Sequence, residues 1–219
     1  MEFTLGTSFD RGKTALHRAA LDGNLDDVER ALTDTRDIDA VDELHRTALL
    51  LAAERGNKEI VTLLLARGAD PTLATYSGLT PLHVAAYEGD LPMVKALLRH
   101  QTDVNAPNEA GLTPLHNAVI GEHHQIIKLL IQRGADVNPQ TRDGRTPLHY
   151  AVERHNHELV RYLLTHGADL ELADARGVTP RRLAEQMGNT ALTKMLRTAE
   201  ASDTPVREAR AYHHEGSNR

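Results

Sequence analysis

Histidine has the widest chemical repertoire of any residue type in this sequence, and the 219-residue chain contains 13 of them. An imidazole can act as a general base, carry a proton or bind a transition metal. Four histidines each follow a threonine by three residues and recur at multiples of 33 residues: His17, His83, His116 and His149. Because a catalytic group is needed once rather than once per repeat, we predict that these imidazoles hydrogen-bond the threonine hydroxyl and nearby loop backbone.

Three further groups of histidines are close enough in the sequence to share a metal ion: His123 with His124, His155 with His157, and His213 with His214. No spacing of carboxylates and histidines typical of a metal motif accompanies them. The first two groups fall in predicted polar turns between helices, so we interpret them as solvated side chains. The sequence therefore predicts neither a metal site nor a cofactor.

Other catalytic chemistries lack the residues that they require. With no cysteine, the chain has no disulfide, no thiolate zinc site and no cysteine nucleophile. Nucleophile motifs and paired carboxylates are missing, and the glycines follow the repeat interval rather than the spacing of a phosphate-binding loop. We therefore predict that the protein is not an enzyme.

The elements that carry the regular histidines are defined by a threonine that recurs every 33 residues. Six threonines share this spacing: Thr14, Thr47, Thr80, Thr113, Thr146 and Thr179. In three copies, at residues 80–83, 113–116 and 146–149, the sequence reads Thr-Pro-Leu-His. Threonine caps helix N-termini and proline is favoured at the first helical position, so each copy predicts the start of a helix.

The remainder of each repeat predicts a second helix and a loop. An apolar segment follows the glycine that ends the first helix, and Gly-Ala-Asp marks the exit into the loop at residues 68–70, 134–136 and 167–169. Glycine stands at the loop tip in five copies. In the second repeat His45 takes that place, which predicts a positive φ at His45.

The Thr-Pro-Leu-His motif on a 33-residue interval resembles the signature of the ankyrin-repeat family, and six copies cover roughly residues 9–200. The resemblance implies an all-α ankyrin-repeat solenoid of six stacked helix-turn-helix units with β-hairpin-like loops. We place the repeats in one domain, residues 1–200, at about 9–41, 42–74, 75–107, 108–140, 141–173 and 174–200. Residues 201–219 lack periodicity and much apolar content, so we expect a flexible C-terminal tail there.

Composition and charge restrict the partners. Apolar residues make up 40% of the chain but aromatic residues only 3%, so the core must be built from Leu, Ala, Val and Ile, as in closely packed helices. A formal charge of −6 argues against a nucleic-acid partner, which needs a basic face. We find no signal-peptide pattern and no membrane-spanning apolar stretch. We expect a monomer without a membrane partner in the cytoplasm, with the nucleus as the alternative.

The resemblance also implies where a protein or peptide partner would bind. In the ankyrin family the hairpin tips and the exposed ends of the first helices form a concave recognition surface. The candidate partner-binding residues at these positions are Leu44, Arg46, Glu54, Arg55, Tyr76, Leu79, Tyr87, Glu88, Leu112, Ile120, Arg142, Arg145, Glu153 and Arg154.

Repeats three and four are expected to give this surface an apolar centre, and repeats two and five to add charged flanks. The apolar members are Tyr76, Leu79, Tyr87, Leu112 and Ile120. An apolar patch with a charged rim is the usual anatomy of a protein interface. For Leu79 and Leu112 the alternative is ordinary framework packing between neighbouring hairpins.

Two functions remain open at this point. The first is a non-catalytic scaffold or inhibitor that holds a partner protein or peptide on the concave face. The second is a targeting or regulatory subunit of an enzyme complex, similar to proteasome-assembly or kinase-regulating ankyrin proteins, with help from the C-terminal tail.

Two asparagines are candidates for modification. Asn105 and Asn138 each lie in a Val-Asn step eight residues after a leucine, Leu97 or Leu130. This position is similar to that of ankyrin asparagines hydroxylated by an animal oxygenase. The alternative is that each asparagine only hydrogen-bonds the hairpin backbone.

Overall fold

The computed structural model describes residues 12–201, and the regular secondary structure of that part of the chain is helical, without a strand. The first helices of the repeats begin next to the recurring threonines and are α1 (Ala15–Asp22), α3 (Ala48–Glu54), α5 (Pro81–Glu88), α7 (Pro114–Ile120), α9 (Pro147–Glu153) and α11 (Pro180–Gln186). The second helices are α2 (Leu25–Asp34), α4 (Lys58–Ala66), α6 (Leu91–Leu97), α8 (His124–Gln132), α10 (His157–Thr165) and α12, which spans 190–201 within the described residues.

The chain divides into two compact units, residues 1–135 and 136–219. Of the described helices, α1–α8 belong to the first unit and α9–α12 to the second. The predicted tail, apart from Ala201, lies outside the described residues, as do His213 and His214. The single domain 1–200 and its repeat boundaries stay predictions.

The first helices begin as the sequence predicts because threonine and histidine cap each other. At α5 the Thr80 side chain accepts the His83 N–H, and the Thr80 N–H donates to Nδ1 of the His83 ring. This capping box satisfies backbone N–H groups that a helix N-terminus would leave without partners. The same reciprocal arrangement occurs at Thr14, Thr113 and Thr146.

Within the first unit, successive first helices stack on one another: α1 packs on α3, α3 on α5 and α5 on α7. Small residues allow this close approach, because the alanine pairs 52–53 and 85–86 are both almost fully buried. The second helices add the larger apolar groups, including Val94 and Leu97, neither of which is exposed to solvent. In the second unit α9 packs on α10 and α11, with Leu163 and Leu192 buried.

The loop tips are tight turns stabilised by a polar side chain. Asn108 Oδ1 accepts the backbone N–H groups of Ala110 and Leu112, each at 2.9 Å. Gly78 has φ of +76°, and a Cβ there would lie 2.8 Å from the Cα of Asn108, so the neighbouring tip leaves no room for a side chain. The predicted positive φ of His45 is confirmed at 59°.

None of the helices within residues 12–201 combines the length and the apolar character needed to cross a bilayer.

Candidate functional site

A cavity of about 250 Å³ lies in the first unit. Residues of three successive repeats line it: Glu54 at the end of α3, Leu79 at a loop tip, Val84, Tyr87 and Glu88 on α5, and Asn117 on α7. We call it the Tyr87 cavity. Four of its six lining residues were predicted to bind a partner, so the structure brings together Glu54, Leu79, Tyr87 and Glu88 from that larger set.

Tyr87 is the most accessible large apolar group of this cavity, with half of its surface exposed (50%). Its backbone carbonyl accepts a hydrogen bond of 2.8 Å from Nε2 of His123. The His123 ring also lies over two glycines, because a Cβ on Gly89 or Gly121 would come within 2.4 or 2.5 Å of it. His123 therefore fixes the C-terminal end of α5, the segment that presents Tyr87.

This contact corrects our interpretation of His123 as a solvated turn residue. His123 is half-buried and precedes α8 as its N-cap. Its ring donates a hydrogen bond to Tyr87 of the preceding repeat. The sequence of the turn itself does not indicate this contact. His155 is exposed, as expected, and its ring meets the Asn189 amide at 2.8 Å.

The charged side of the Tyr87 cavity begins at Arg46. Its Nε and Nη2 both donate to Oδ2 of Asp42, at 3.0 and 2.7 Å, and its Nη1 lies 3.6 Å from Oε2 of Glu54. Burial alone would raise the pKa of Asp42, but hydrogen bonds from the Arg46 side chain and from the backbone N–H groups of Arg46 and Leu44 hold it below its ordinary value. For Glu54 the balance is reversed, because burial raises its pKa despite the attraction of Arg46.

Beyond the Tyr87 cavity, the loop tips of the first unit present two exposed apolar side chains. Tyr76 is 68% exposed and its ring centroid lies 5.0 Å from that of His45. His45 is held in turn by its Nδ1, which donates to the carbonyl of Ala74 at 2.8 Å. Leu44 is 58% exposed. Both predicted residues are therefore accessible to a partner, although neither lines the cavity.

Leu112 and Ile120 were predicted to join Tyr87 in the apolar centre. Both are half-buried, and neither is among the residues that line the Tyr87 cavity. Leu112 also supplies its carbonyl to His83 Nε2, at 3.0 Å. The backbone of Leu112 therefore belongs to the framework between neighbouring repeats, while part of its side chain stays accessible.

In the second unit two of the four candidate residues are paired with each other. Arg145 forms an ion pair of 2.9 Å with Glu153, and its guanidinium carbon lies 4.3 Å from the centroid of the Tyr150 ring. Burial raises the pKa of the Tyr150 phenol. Arg142 and Arg154 are exposed, as is Arg55 in the first unit.

The candidate positions follow the repeat interval. Arg46, Leu79, Leu112 and Arg145 are successive equivalents, and so are Glu54, Tyr87, Ile120 and Glu153. Where the first position is arginine, the second is glutamate and the two form an ion pair. Where the first is leucine, the second is apolar, so the two columns change together between repeats.

The recurrent histidines connect neighbouring repeats, in agreement with the structural interpretation. Nε2 of His17 donates to the Arg46 carbonyl at 2.9 Å, and that of His149 to the Val178 carbonyl at 3.0 Å. In each case Nδ1 accepts the threonine N–H, so the ring needs to be neutral. Burial lowers the pKa of His83 and of His149, which favours this neutral form.

Both candidate asparagines bond the next repeat. Asn105 Nδ2 donates to the Gly134 carbonyl at 3.2 Å, and Asn138 Nδ2 donates to the Gly167 carbonyl at 2.9 Å. Asn138 Oδ1 also accepts the Asp169 N–H at 2.7 Å. These contacts agree with the alternative of hydrogen bonding to the hairpin backbone, and modification of either asparagine stays a prediction.

Across residues 12–201, no group of three or more His, Cys, Asp or Glu side chains is arranged to hold a metal ion.

Two-helix repeats with capped threonines, histidine bridges and hairpin tips define a class of helical-repeat binding proteins, and comparison with known families gives the same result. The family model for ankyrin repeats in three copies matches residues 2–75 and 70–141, and that for ankyrin repeats in many copies matches residues 130–184. The chain belongs to the ankyrin-repeat family. Among curated proteins, none matches it.

The family assignment confirms the predicted fold class, an all-α protein built from ankyrin repeats. It also confirms the broader functional prediction, because ankyrin repeats are protein–protein interaction modules and in general are not catalytic.

Three residues of the site were missed from the sequence: Val84, Asn117 and His123. Val84 and Asn117 occupy equivalent positions of successive repeats, a column that also contains Leu51 and Tyr150. A position on a first helix that varies in this way between repeats is not fixed by the repeat motif. Scanning the repeats for variable columns would have identified both residues.

Proposed function

We propose that this protein is a non-catalytic scaffold or inhibitor that binds a partner protein or peptide at the Tyr87 cavity and the neighbouring loop tips of the first unit. The observation that carries the proposal is the half-exposed Tyr87 in a cavity with apolar and acidic walls. Tyrosine is one of the residue types enriched among the residues that contribute most binding energy at the centre of protein interfaces.

The neighbouring tips extend the surface available to a partner. Tyr76 and Leu44 are both more exposed than Tyr87, and aromatic or aliphatic groups on a rigid tip cost little conformational entropy when they bind. The hydrogen bonds at the tips and the ring of His45 hold this part of the backbone in place before binding. Such preorganisation supports affinity because fewer groups must be ordered on association.

The test is a capture experiment on lysate of cells that express the protein, with wild type and Leu79→Arg/Tyr87→Glu compared side by side. This variant places at repeat three the residue pair that repeats two and five already contain, so the fold is expected to persist. A protein captured by the wild type and lost from the variant is the expected result. Retention of every captured protein by a variant with unchanged circular dichroism would contradict the proposal.

A matched control uses the second unit. Arg145→Leu/Glu153→Tyr makes the converse exchange at the equivalent positions of repeat five. It alters as many charges as the test variant does, and we expect it to capture the same partner as the wild type. Loss from both variants would show that residues of repeat five are also needed for binding, so that the Tyr87 cavity is not the sole site.

A further inference from the structure

The Tyr87 cavity has the walls that a long side chain with a charged end requires. Leu79 and Val84 supply aliphatic surface, and both are half-buried. The Tyr87 ring is accessible, and the face of an aromatic ring attracts a cation. Side chains with an apolar stem and a cationic end bury the stem against such surfaces and keep the charge at a polar rim.

The acidic wall of the cavity is incompletely compensated by the protein itself. Glu88 is exposed and forms no ion pair with any residue between 12 and 201. Glu54 has Arg46 at 3.6 Å, yet burial still raises the pKa of its carboxyl group. A cation from a partner could therefore interact with two carboxylates. Desolvation disfavours the charged form of Glu54 more than the attraction of Arg46 favours it.

A third acceptor at the cavity belongs to a largely buried residue. Asn117 is only 7% exposed and lines the cavity, and its Nδ2 donates to the carbonyl of His83 at 3.1 Å. This hydrogen bond fixes the amide orientation. Within the described part of the chain, Oδ1 of Asn117 accepts no hydrogen bond. This oxygen is not enclosed by the protein, so a donor that enters the cavity can reach it.

We infer that the Tyr87 cavity binds an arginine side chain of the partner, with the guanidinium between the carboxylates of Glu54 and Glu88 and a donor directed at Asn117 Oδ1. Arginine fits these groups better than lysine, because its planar guanidinium offers five N–H donors and also stacks on aromatic rings. The inference rests on the proposed function and specifies the chemistry of the partner at one position. The net charge of −6 of the chain further favours a basic ligand.

The test measures binding of capped pentapeptides, alanine except for the central residue, to the ¹⁵N-labelled full chain by NMR. The central residue is arginine, citrulline, norleucine or glutamate. Citrulline has the shape of arginine without its charge, and norleucine has only the apolar stem. We expect saturable shifts of the Tyr87, Glu88 and Asn117 amides with the arginine peptide, and binding at least about fivefold weaker with the citrulline peptide.

Matched variants assign this preference to the cavity. We expect Glu54→Gln/Glu88→Gln to weaken the arginine peptide to the level of the citrulline peptide and to leave the citrulline peptide unchanged. Glu29→Gln/Glu158→Gln, which removes two exposed carboxylates on the second helices α2 and α10, is expected to change neither.

Three results would overturn the inference: equal or tighter binding of norleucine or glutamate, no saturable shift with arginine up to about 10 mM peptide, or an arginine preference that survives in the double variant. These outcomes are separate from a failure of the proposed function. If capture of a protein still depends on Leu79 and Tyr87 while arginine shows no preference, the interface stands and only its arginine specificity is lost.

Discussion

Repeat three differs from repeats two and five at two equivalent positions. Repeats two and five each contain an arginine at the loop tip and a glutamate at the end of the first helix, and these pairs lie 3.6 and 2.9 Å apart. Repeat three has Leu79 and Tyr87 instead, and Tyr87 is half-exposed beside a cavity. The same framework thus supports either an ion pair or an apolar pair at these two positions. The residues there can therefore differ between repeats according to what the repeat binds.

The framework beneath both kinds of pair is shared, and the largest expected effect comes from disturbing it. Leu97 in repeat three and Leu163 in repeat five occupy equivalent positions, and neither is exposed to solvent. We expect Leu97→Ala and Leu163→Ala each to lower the free energy of unfolding by about 2–5 kcal/mol, because each leaves a cavity in the core. Urea denaturation measures both. If only one of the two variants lowered the free energy of unfolding by less than about 1 kcal/mol, the two leucines would not contribute equally to the framework.

Acid is expected to lower the stability of repeats three and five. Each of them contains a buried histidine with a lowered pKa, His83 in repeat three and His149 in repeat five. The unfolded chain binds a proton at the ordinary value of 6.5, whereas the folded chain resists it. The stability that the neutral rings provide is therefore complete above pH 6.5 and is lost as the pH falls towards the lower folded pKa values.

Urea denaturation at pH 7.5 and pH 5.0 tests this sign. We expect a lower midpoint at pH 5.0 for the wild type and a smaller drop for His83→Gln, whose amide keeps hydrogen-bonding capacity but does not titrate. An equal or higher midpoint at pH 5.0 would show that His83 and His149 are not held neutral.

Exchange of Leu79 and Tyr87 should alter the free energy of unfolding less than the leucine substitutions or the change in pH. We expect Leu79→Arg/Tyr87→Glu to change the free energy of unfolding by no more than about 1 kcal/mol, because partly exposed ion pairs contribute little and the exchanged positions lie at the surface. Thermal denaturation followed by circular dichroism provides the measurement. A larger loss would mean that Leu79 and Tyr87 belong to the framework rather than to a recognition surface.

The smallest effect is expected at the ion pair of repeat five. Glu153→Gln should change stability by less than about 0.5–1 kcal/mol, because the Glu153 side chain is 47% exposed and the pair is screened by solvent. Raising the salt concentration should reduce even this difference. If the variant unfolded at a much lower urea concentration, the ion pairs of repeats two and five would have a structural function that repeat three replaces by apolar contacts.

The fold could be predicted because its signals are local and repeated. Thr80 and His83, three residues apart, cap one helix, and the same pairing recurs in repeats one and five. One interpretation of the motif therefore predicted several helix starts. The positive φ of His45 was predicted in the same way, from its place on the interval. Contacts between repeats were less visible.

The site was predicted only in part because the Tyr87 cavity is built from three repeats at once. Tyr87 and Leu79 were identified as candidates, since apolar residues at surface positions stand out against the framework. Asn117 and His123 were not, because their contacts are with residues 34 and 36 positions earlier. Such contacts depend on how one repeat stacks on the next, which the pattern within a repeat does not specify.

The central claim is that the apolar pair of repeat three holds the partner, and its most direct test is a titration with the protein identified by capture. Calorimetry would compare wild type with Leu79→Arg/Tyr87→Glu, after circular dichroism shows equal helix content. We predict a rise in Kd of at least about 30-fold, as for loss of an interface hot spot. A Kd within about threefold of the wild-type value would contradict the claim and place the binding surface elsewhere on the chain.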